Sequence, residues 1–302
     1  MSGAPHHRMR FEAKVRRTIG TLKGRPDPKC VPEFAQAEEI PRLIHQTSPT
    51  AQLPAEILDN INRLTAANPG WDYRLWDDAA IEDFIAREYG TRVLEYYSRI
   101  NPFYGACRAD LFRYLLMYRM GGVYLDLKST LARPLGEIIR PGDRYLLSHW
   151  RNGTGQEFEG WGRHPEVEIP QGEFQQWHIV AAPGHPFLRA VILRVLANIR
   201  QYDPVLHGTG TTGAIRVTGP VAYSLTLMPL LDAFPYRLID AHASGIIYSI
   251  FGAERHKQHR SFFKTHYAGR RDPVIRPTRT DNMISAVLRA LQAAKSVRRR
   301  RA

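Results

Sequence analysis

The architecture follows most directly from one segment, Tyr104–Lys128, whose sequence is YGACRADLFRYLLMYRMGGVYLDLK. Apolar and aromatic residues recur at helical spacing over Tyr104–Met120, and Gly121-Gly122 then ends the helix, as glycine commonly does. Val123–Leu127 follows at once as an apolar strand that carries a carboxylate, Asp126. The segment therefore predicts a helix that passes through two glycines directly into a buried strand.

Short apolar runs alternate with helical patterns on both sides of this segment. This alternation is typical of an α/β protein with a mostly parallel sheet. Because ligands bind at the carboxyl ends of strands in such sheets, two places stand out: His45-Gln46-Thr47 and Asp126-Leu127-Lys128. The other predicted strands are Ile40–His45, Trp71–Trp76, Tyr145–Ser148 and Trp177–Ala181, and the predicted later helices are Pro186–Arg200 and Val221–Leu231.

The net charge of +13 is carried by the two ends of the chain. Residues 1–30 hold eight basic and two acidic side chains, and residues 255–302 hold fourteen basic and two acidic ones. The body between them holds twenty basic and twenty-five acidic residues, a net charge of −5. A nucleic-acid enzyme more often places its basic residues on the folded face, so no nucleic-acid partner is expected. Basic ends on an acidic body fit attraction to an anionic membrane surface, or simply solvated tails.

The predicted domain organisation follows the same pattern. Residues 1–38 are expected to form a basic, poorly ordered lead-in, residues 39–280 the folded domain, and residues 281–302 an amphipathic helix with a basic tail. Cys30 and Cys107 indicate neither a disulfide framework nor a zinc site, which favours a reducing compartment. No signal-like or membrane-spanning apolar run is present, so we expect a cytoplasmic protein, peripheral on the inner face of the membrane if it works there.

Asp110, Arg113 and Asp126 are the residues to which spacing alone gives a chemical meaning. Asp110 and Arg113 lie three apart on the predicted helix, so they project from one face. That helix leads into the strand that ends at Asp126, so two carboxylates and a guanidinium can converge. A carboxylate directly after an apolar strand is costly to bury unpaired, and it needs a cation, a metal or a ligand hydroxyl. An ordinary helix ion pair and a turn residue are the simpler alternatives.

Five motifs stand in order over Ile40–Pro134: Ile40–Gln46, Asn68–Trp71, Tyr73–Asp78, Arg108–Tyr114 and Gly121–Asp126. Together they resemble glycosyltransferase family 32. That family includes fungal initiating α-1,6-mannosyltransferases and bacterial capsular polysaccharide enzymes, and the large clostridial glucosylating toxins share its core. A weaker resemblance continues through Gln176–Leu188 and Thr218-Gly219-Pro220.

The resemblance implies a Rossmann-like, nucleotide-sugar-binding fold of the type called GT-A, with added C-terminal helices. It implies retaining transfer of a hexose from a nucleoside-diphosphate sugar to a glycan or glycolipid, and we expect a bacterial cell-surface polysaccharide pathway. Asp110 and Arg113 would hold the sugar and ribose hydroxyls of the donor, and Asp126 would be the first acid of the Asp-X-Asp motif. Asp126 and Asp110 would be the catalytic residues. The donor-binding residues implied in this way are His45, Gln46, Thr47, Asp110, Arg113, Tyr124 and Asp126.

The sequence departs from the family at the second acid of this motif, where Lys128 stands. Mg²⁺ and Mn²⁺ gain affinity from carboxylates and are repelled by an ammonium, but a lysine can itself neutralise a diphosphate leaving group. We therefore expect weak or absent metal dependence, with Lys128 at the donor diphosphate. Alternatively, Lys128 points away and Asp126 holds the metal with a distal ligand, for which the resemblance suggests His266. An inactive, degenerate enzyme is the third interpretation.

The stretch Trp150–Trp177 is rich in glycine, aromatic and acidic residues, and it is a candidate acceptor loop. Retaining transfer could use one of its acids, among them Glu173, as a nucleophile, or proceed by front-face attack; the sequence leaves both open. A non-catalytic sugar- or polyanion-binding protein is the alternative from another class, favoured by Lys128 and the basic ends. A hydrolase is not indicated, since neither a Gly-X-Ser-X-Gly nor a His-Glu-X-X-His motif is present.

Overall fold

The computed structural model describes residues 20–21, 23–251, 269–283 and 286. A six-stranded sheet with helices and a small two-stranded ladder make up this part of the chain. The strands are β1 (Leu43–Thr47), β2 (Asp72–Trp76), β3 (Gly122–Leu125), β4 (Thr130–Leu131), β5 (Tyr145–Ser148), β6 (His178–Ala181), β7 (Arg237–Ile239) and β8 (Ile246–Ile247). The α-helices are α1 (Ala55–Ala66), α2 (Asp78–Arg99), α3 (Gly105–Met120), α4 (Leu135–Ile138), α5 (Pro186–Gln201), α6 (Pro204–His207), α7 (Gly210–Val217) and α8 (Pro220–Leu227).

The large sheet has the strand order β2-β1-β3-β6-β5-β7. β1 pairs in parallel with β2 and β3, and β5 pairs in parallel with β7. β6 runs antiparallel to both of its neighbours, β3 and β5, so five of the six strands point the same way. The predicted α/β class with a mostly parallel sheet is therefore confirmed, and the carboxyl ends of β1, β3, β5 and β7 lie along one edge.

Two glycines turn α3 into β3 without an intervening loop. Gly121 and Gly122 have φ of 63° and 96°, in the left-handed region that residues with a side chain rarely adopt. A Cβ on Gly121 would lie 2.5 Å from Pro183 Cδ, and one on Gly122 would lie 2.6 Å from the carbonyl oxygen of Leu43. The turn therefore needs glycine both for its conformation and for the close approach of the neighbouring chain.

The helix α3 lies at the centre of the core, where it contacts α2, α5 and the sheet. Every residue from Asp110 to Tyr118 is buried, so the helix is covered on all sides rather than along one stripe. Asp110 and Arg113 are therefore carried into the interior beside the end of β3. The simpler alternative of a surface ion pair does not apply to them.

The chain before β1 is more ordered than we predict from its composition. The predicted lead-in covers residues 1–38, but residues 23–38 pack against the folded body. Val31 is buried, and the Phe34 amide donates to the Tyr118 hydroxyl at 3.2 Å. A few apolar side chains are enough to fix a segment whose basic composition alone indicates disorder.

The two ends of the described chain meet at one carboxylate. Lys23 Nζ lies 2.5 Å and Arg99 Nη2 lies 3.0 Å from the oxygens of Asp281. Of the predicted terminal region 281–302, only residues 281–283 and 286 are described. The predicted amphipathic helix and basic tail therefore lie largely outside the described residues, as do residues 1–19.

Two smaller predictions concern cysteine chemistry and the membrane. Cys30 and Cys107 are both free thiols, and Cys107 is buried. Within the described ranges, no helix combines the length and the apolar character that crossing a membrane requires.

Candidate active site

A buried arginine joins two carboxylates at the carboxyl end of β3. The Nη2 atom of Arg113 lies 3.3 Å from Oδ1 of Asp110 and 3.2 Å from Oδ1 of Asp126. Asp110 and Arg113 project from one face of α3, and Asp126 directly follows β3. The structure thus brings together the three side chains that spacing alone singles out.

Other protein groups satisfy much of this cluster. Arg113 Nη1 donates to the carbonyl oxygen of Gln176 at 2.6 Å and to Gln176 Oε1 at 2.8 Å. Asp110 accepts from Gln176 Nε2 at 3.1 Å and from Thr218 Oγ1 at 2.9 Å. Gln176, just before β6, and Thr218, just after α7, therefore hold the charges in one geometry, as buried polar networks require.

Burial and neighbouring charges act in opposite directions on the ionisation of this cluster. Burial raises the pKa of Asp110, whereas Arg113 and the hydrogen bonds to the carboxylate act to lower it. Burial acts to lower the pKa of Arg113, but the interactions with Tyr124, Asp126 and Asp110 outweigh it and raise that pKa. The guanidinium therefore stays charged, and it packs 4.7 Å from the ring centroid of Tyr124.

Asp126 is the member of the cluster that solvent reaches. Its side chain is 30% exposed, against 7% for Asp110 and 5% for Arg113. Its Oδ1 atom accepts from the Tyr124 hydroxyl at 3.4 Å, and that hydroxyl lies 2.9 Å from Thr47 Oγ1. A ligand hydroxyl can therefore reach Asp126, while Tyr124 and Thr47 help to fix the carboxylate.

His45 and Gln46 lie behind this site rather than facing it. His45 is fully buried, and its Nδ1 atom accepts from Trp76 Nε1 at 3.2 Å. Burial lowers the pKa of His45 to about 4, so the ring is neutral and its Nε2–H donates to the Gly121 carbonyl oxygen at 3.2 Å. Gln46 is also fully buried and donates to the backbone oxygen of Asp126 at 3.2 Å. Both side chains therefore hold the ends of β1 and β3 together and offer no exposed surface to a nucleotide.

Lys128 is buried beside the strand end. Its Nζ atom lies 3.7 Å from the ring centroid of Tyr248, in a cation–π contact. In the part of the chain that the structure describes, no group of three His, Cys, Asp or Glu side chains could hold a metal ion. The side chains described at this strand end, Asp126 with Arg113 and Lys128, do not fit a divalent cation, which prefers several oxygen ligands. His266, the predicted distal ligand, lies outside the described residues.

The charged cluster forms one wall of a cavity of about 200 Å³, which we call the donor cavity after the role proposed for it below. The other walls come from the loop after β5, the chain before β6, the segment from α7 to the start of α8, and Tyr248. The residues that define the donor cavity chemically are Asp110, Arg113, Asp126, Glu173, Gln176 and Trp177.

Glu173 is a second buried carboxylate that lines the donor cavity, from the predicted acceptor loop. It is 6% exposed, accepts from Trp150 Nε1 at 2.8 Å, and lies 2.7 Å from His164 Nε2 through its other oxygen. The hydrogen bond to Glu173 raises the pKa of His164, and burial opposes that rise. These contacts tie the start of the loop, at Trp150, and its middle, at His164, to one carboxylate near its end.

Three residues of the site, Gln176, Thr218 and Tyr248, are not predicted from the sequence. Gln176 and Thr218 each begin one of the two stretches of weaker family resemblance, so a signal for them exists. Tyr248 belongs to no motif, and the pairing of β4 with β8 brings its part of the chain to the segment that follows Lys128.

One known protein family matches the part of the chain that carries the cluster. Residues 54–146 match the family described as "Glycosyltransferase sugar-binding region containing DXD motif". The matched range includes Asp110, Arg113, Asp126 and Lys128. It therefore covers both α3 and the end of β3.

Similar curated proteins extend the match beyond this range. The chain is 28% identical over 229 residues to inositol phosphoceramide mannosyltransferase 3 of Schizosaccharomyces pombe. This alignment covers 76% of this chain and 55% of that protein. It is 33% identical over 181 residues to a mannosyl phosphorylinositol ceramide synthase of Saccharomyces cerevisiae. That alignment covers 58% of this chain and 40% of the relative. The chain spans about half the length of the curated relatives it matches.

One solved structure aligns over most of the chain. It carries the name PaToxG Glycosyltransferase, and the alignment covers 91% of this chain and 94% of that one. The TM-score is 0.46 and the sequence identity is 13%.

Proposed function

We propose that this chain, which belongs to glycosyltransferase family 32, transfers a hexose from a nucleoside-diphosphate sugar to a glycan or glycolipid with retention of configuration. The observation that carries the proposal is the bridge of Arg113 between Asp110 and Asp126, at 3.3 and 3.2 Å. This bridge lines a cavity at the carboxyl edge of the sheet, where α/β proteins bind ligands. The relatives named above include a mannosyltransferase, so mannose is the first sugar to test.

Asp126 and Arg113 are assigned to the hydroxyls of the transferred sugar. Asp126 accepts hydrogen bonds and reaches the cavity, and Arg113 donates from a position that Gln176 fixes. A carboxylate beside a guanidinium can bind neighbouring hydroxyls through charge-assisted hydrogen bonds. Asp110 is assigned an indirect role. Thr218 and Gln176 donate hydrogen bonds to its oxygens, and the carboxylate orients Arg113.

Lys128 is assigned to the leaving group. Breaking the bond between the anomeric carbon and the diphosphate places negative charge on the leaving nucleotide, which a nearby cation stabilises. The Lys128 ammonium packs on Tyr248, and Tyr248 lines the donor cavity. A divalent cation, if it takes part, would be held by Asp126 and His266 and would supply the same charge. Because the described side chains do not fit a cation, no step is assigned to it.

The membrane-facing part of the proposal rests on charge. The basic ends, residues 1–30 and 255–302, would hold the enzyme on an anionic cytoplasmic membrane surface. A glycolipid acceptor suits that position, and the names of two relatives contain an inositol-phosphate ceramide lipid. The bacterial setting predicted from the sequence has no support from these relatives, which are fungal.

Nucleotide release tests the proposal directly. The purified chain is incubated with UDP- and GDP-hexoses, mannose donors first, with and without glycan acceptors. Release of nucleotide that increases with acceptor supports a transferase. Donor binding without turnover supports the non-catalytic sugar-binding alternative, and it would overturn the proposed activity.

A second experiment separates lysine from metal at the leaving group. Activity that persists in excess EDTA supports the assignment of Lys128, whereas activity lost in EDTA and restored by Mn²⁺ contradicts it. The matched variants are Lys128→Met, which removes the charge, and Lys128→Arg, which keeps it. We expect the first to lose most activity and the second to retain a measurable part, because the charge stabilises the leaving group.

A further inference from the structure

A second cavity, the distal cavity, lies beside the donor cavity at the ends of β5 and β7. Its volume is about 110 Å³, and Trp177 and Tyr248 line both cavities. We propose that the distal cavity binds one uncharged sugar unit of the acceptor, next to the sugar that is transferred. The inference rests on the proposed function and names the acceptor subsite that this function needs.

Aromatic rings form the apolar walls of the distal cavity. The ring centroids of Phe158 and Trp161 are 5.3 Å apart, and Tyr248 lies 5.8 and 6.2 Å from them. Trp177 is 5.2 Å from Tyr248 on the side shared with the donor cavity. Trp161 is 37% exposed, whereas Trp177 is 5% exposed. Walls of this kind, with a few convergent polar groups, are typical of small-molecule sites, and the C–H faces of a sugar ring can pack on them.

The charged groups at the rim are one arginine and two carboxylates, with a histidine between them. Arg151 Nε lies 3.6 Å from Asp240 Oδ2, and His242 Nε2 lies 3.9 Å from Glu157 Oε2. Arg151 Nη1 also lies 3.2 Å from His242 Nδ1, so the four side chains form one continuous chain of contacts from Asp240 to Glu157. Phosphate or carboxylate recognition usually needs unbalanced arginine or lysine. A rim with one guanidinium and two carboxylates lacks that excess of positive charge, and it instead fits an uncharged ligand with several hydroxyls.

Two buried polar groups lie deeper in the distal cavity. Gln175 is 6% exposed, and its Oε1 atom accepts from Ser148 Oγ at 2.7 Å. The indole N–H of Trp177 is buried and has no hydrogen-bond partner among the described residues. Because buried N–H groups are nearly always paired, this N–H leaves one hydrogen bond to be completed by an acceptor from outside the described residues. Trp177 lines both cavities, so its indole belongs to the wall that the acceptor sugar and the donor sugar would share.

Steady-state kinetics of the full chain test the inference. Arg151→Gln replaces the rim guanidinium by a shorter, uncharged amide, and Trp161→Ala removes the exposed ring. We expect each to raise the KM for the acceptor about tenfold, equivalent to about 1.4 kcal/mol. The KM for the donor and the slow hydrolysis of donor without acceptor should stay unchanged. The matched control is Arg163→Gln, because Arg163 lies in the same loop but does not line the cavity.

Two outcomes of these kinetics would overturn the inference. An acceptor KM that neither substitution changes would mean that the acceptor binds elsewhere. Donor hydrolysis that falls in parallel with transfer would assign the distal cavity to the donor or to the fold. Arg151→Gln is the decisive variant if Trp161→Ala does not fold, since the Arg151 side chain is 44% exposed.

A binding measurement separates this inference from the proposed function. Methyl hexopyranosides are titrated against wild type and Arg151→Gln, with tryptophan emission and saturation-transfer NMR as readouts. Binding that Arg151→Gln weakens, in a chain that turns over no nucleotide sugar, supports the distal cavity and refutes the proposed function. If the chain turns over a nucleotide sugar and Arg151→Gln leaves the acceptor KM unchanged, only the assignment of the distal cavity to the acceptor is refuted.

Discussion

The two cavities at the carboxyl edge of the sheet are built in opposite ways. In the donor cavity, Asp110 and Arg113 are at most 7% exposed and are fixed by groups on several elements. Around the distal cavity, Arg151 and Asp240 are each 44% exposed, and Arg151 lies in a long loop. The comparison separates charges that several elements fix in the core from groups that loops hold near the surface. Under the proposed function, the core charges act on the donor and the loop groups select the acceptor, since binding residues on loops vary most readily.

The largest effect is expected at the centre of the buried cluster. Arg113→Met leaves Asp110 in the interior without its cation, and breaking a buried pair in this way costs about 3–5 kcal/mol. Urea denaturation measures the loss in the free energy of unfolding, and nucleotide release should fall to background. The control is Arg113→Met combined with Asp110→Asn, which should recover stability but not activity. A single variant as stable as the wild type would show that the buried cluster contributes little to the fold.

A large effect on rate, with little effect on stability, is expected at the exposed member of the cluster. Asp126→Asn weakens the contact that we propose with the transferred sugar, and we expect kcat to fall by about 100-fold, as loss of one such electrostatic group does. The free energy of unfolding should change by less than about 1 kcal/mol, because the side chain is 30% exposed. Asp72→Asn serves as the matched control, since the Asp72 side chain is 72% exposed and remote from both cavities. Equal losses of stability in Asp126→Asn and Arg113→Met would remove the distinction between exposed and buried charges.

The smallest effect is expected in the loop and depends on pH. The hydrogen bond to Glu173 raises the pKa of His164 above its ordinary value of 6.5. The pair therefore stabilises the fold fully below that ordinary value, and its contribution is lost as the pH rises through the raised pKa of the folded state. The free energy of unfolding of wild type and His164→Asn should differ most at low pH and converge at high pH. A difference that grows with pH would contradict the His164–Glu173 pair.

Local patterns predict the element at the centre of the fold well. Tyr104–Met120 is predicted as a helix and found as Gly105–Met120, and the strand Tyr145–Ser148 is found with the predicted bounds. The reason is that helical periodicity, glycine at helix ends and apolar strand runs depend on neighbours in sequence. The reversed direction of β6 and the packing of residues 23–38 depend on distant partners, and neither is predicted.

The residues of the site fall into the same two groups, those that local spacing predicts and those that distant contacts decide. Asp110, Arg113 and Asp126 could be singled out because a helix spacing and a strand end determine where they project. His45 matches the same family pattern but turns inward to Gly121 and Trp76, which the pattern does not encode. A motif therefore identifies residues that matter without distinguishing those that bind ligand from those that support them.

By itself the sequence determined the α/β class, the helix and strand that meet at Gly121-Gly122, the three charges and the substitution at Lys128. Tertiary structure alone decided that Gln176 and Thr218 complete the charged cluster, and that Trp177 and Tyr248 form a wall between two cavities. The physical reason is the range of the interactions. Backbone propensity and periodicity act within a few residues, whereas buried charges and ring contacts take their partners from wherever the packed chain brings them.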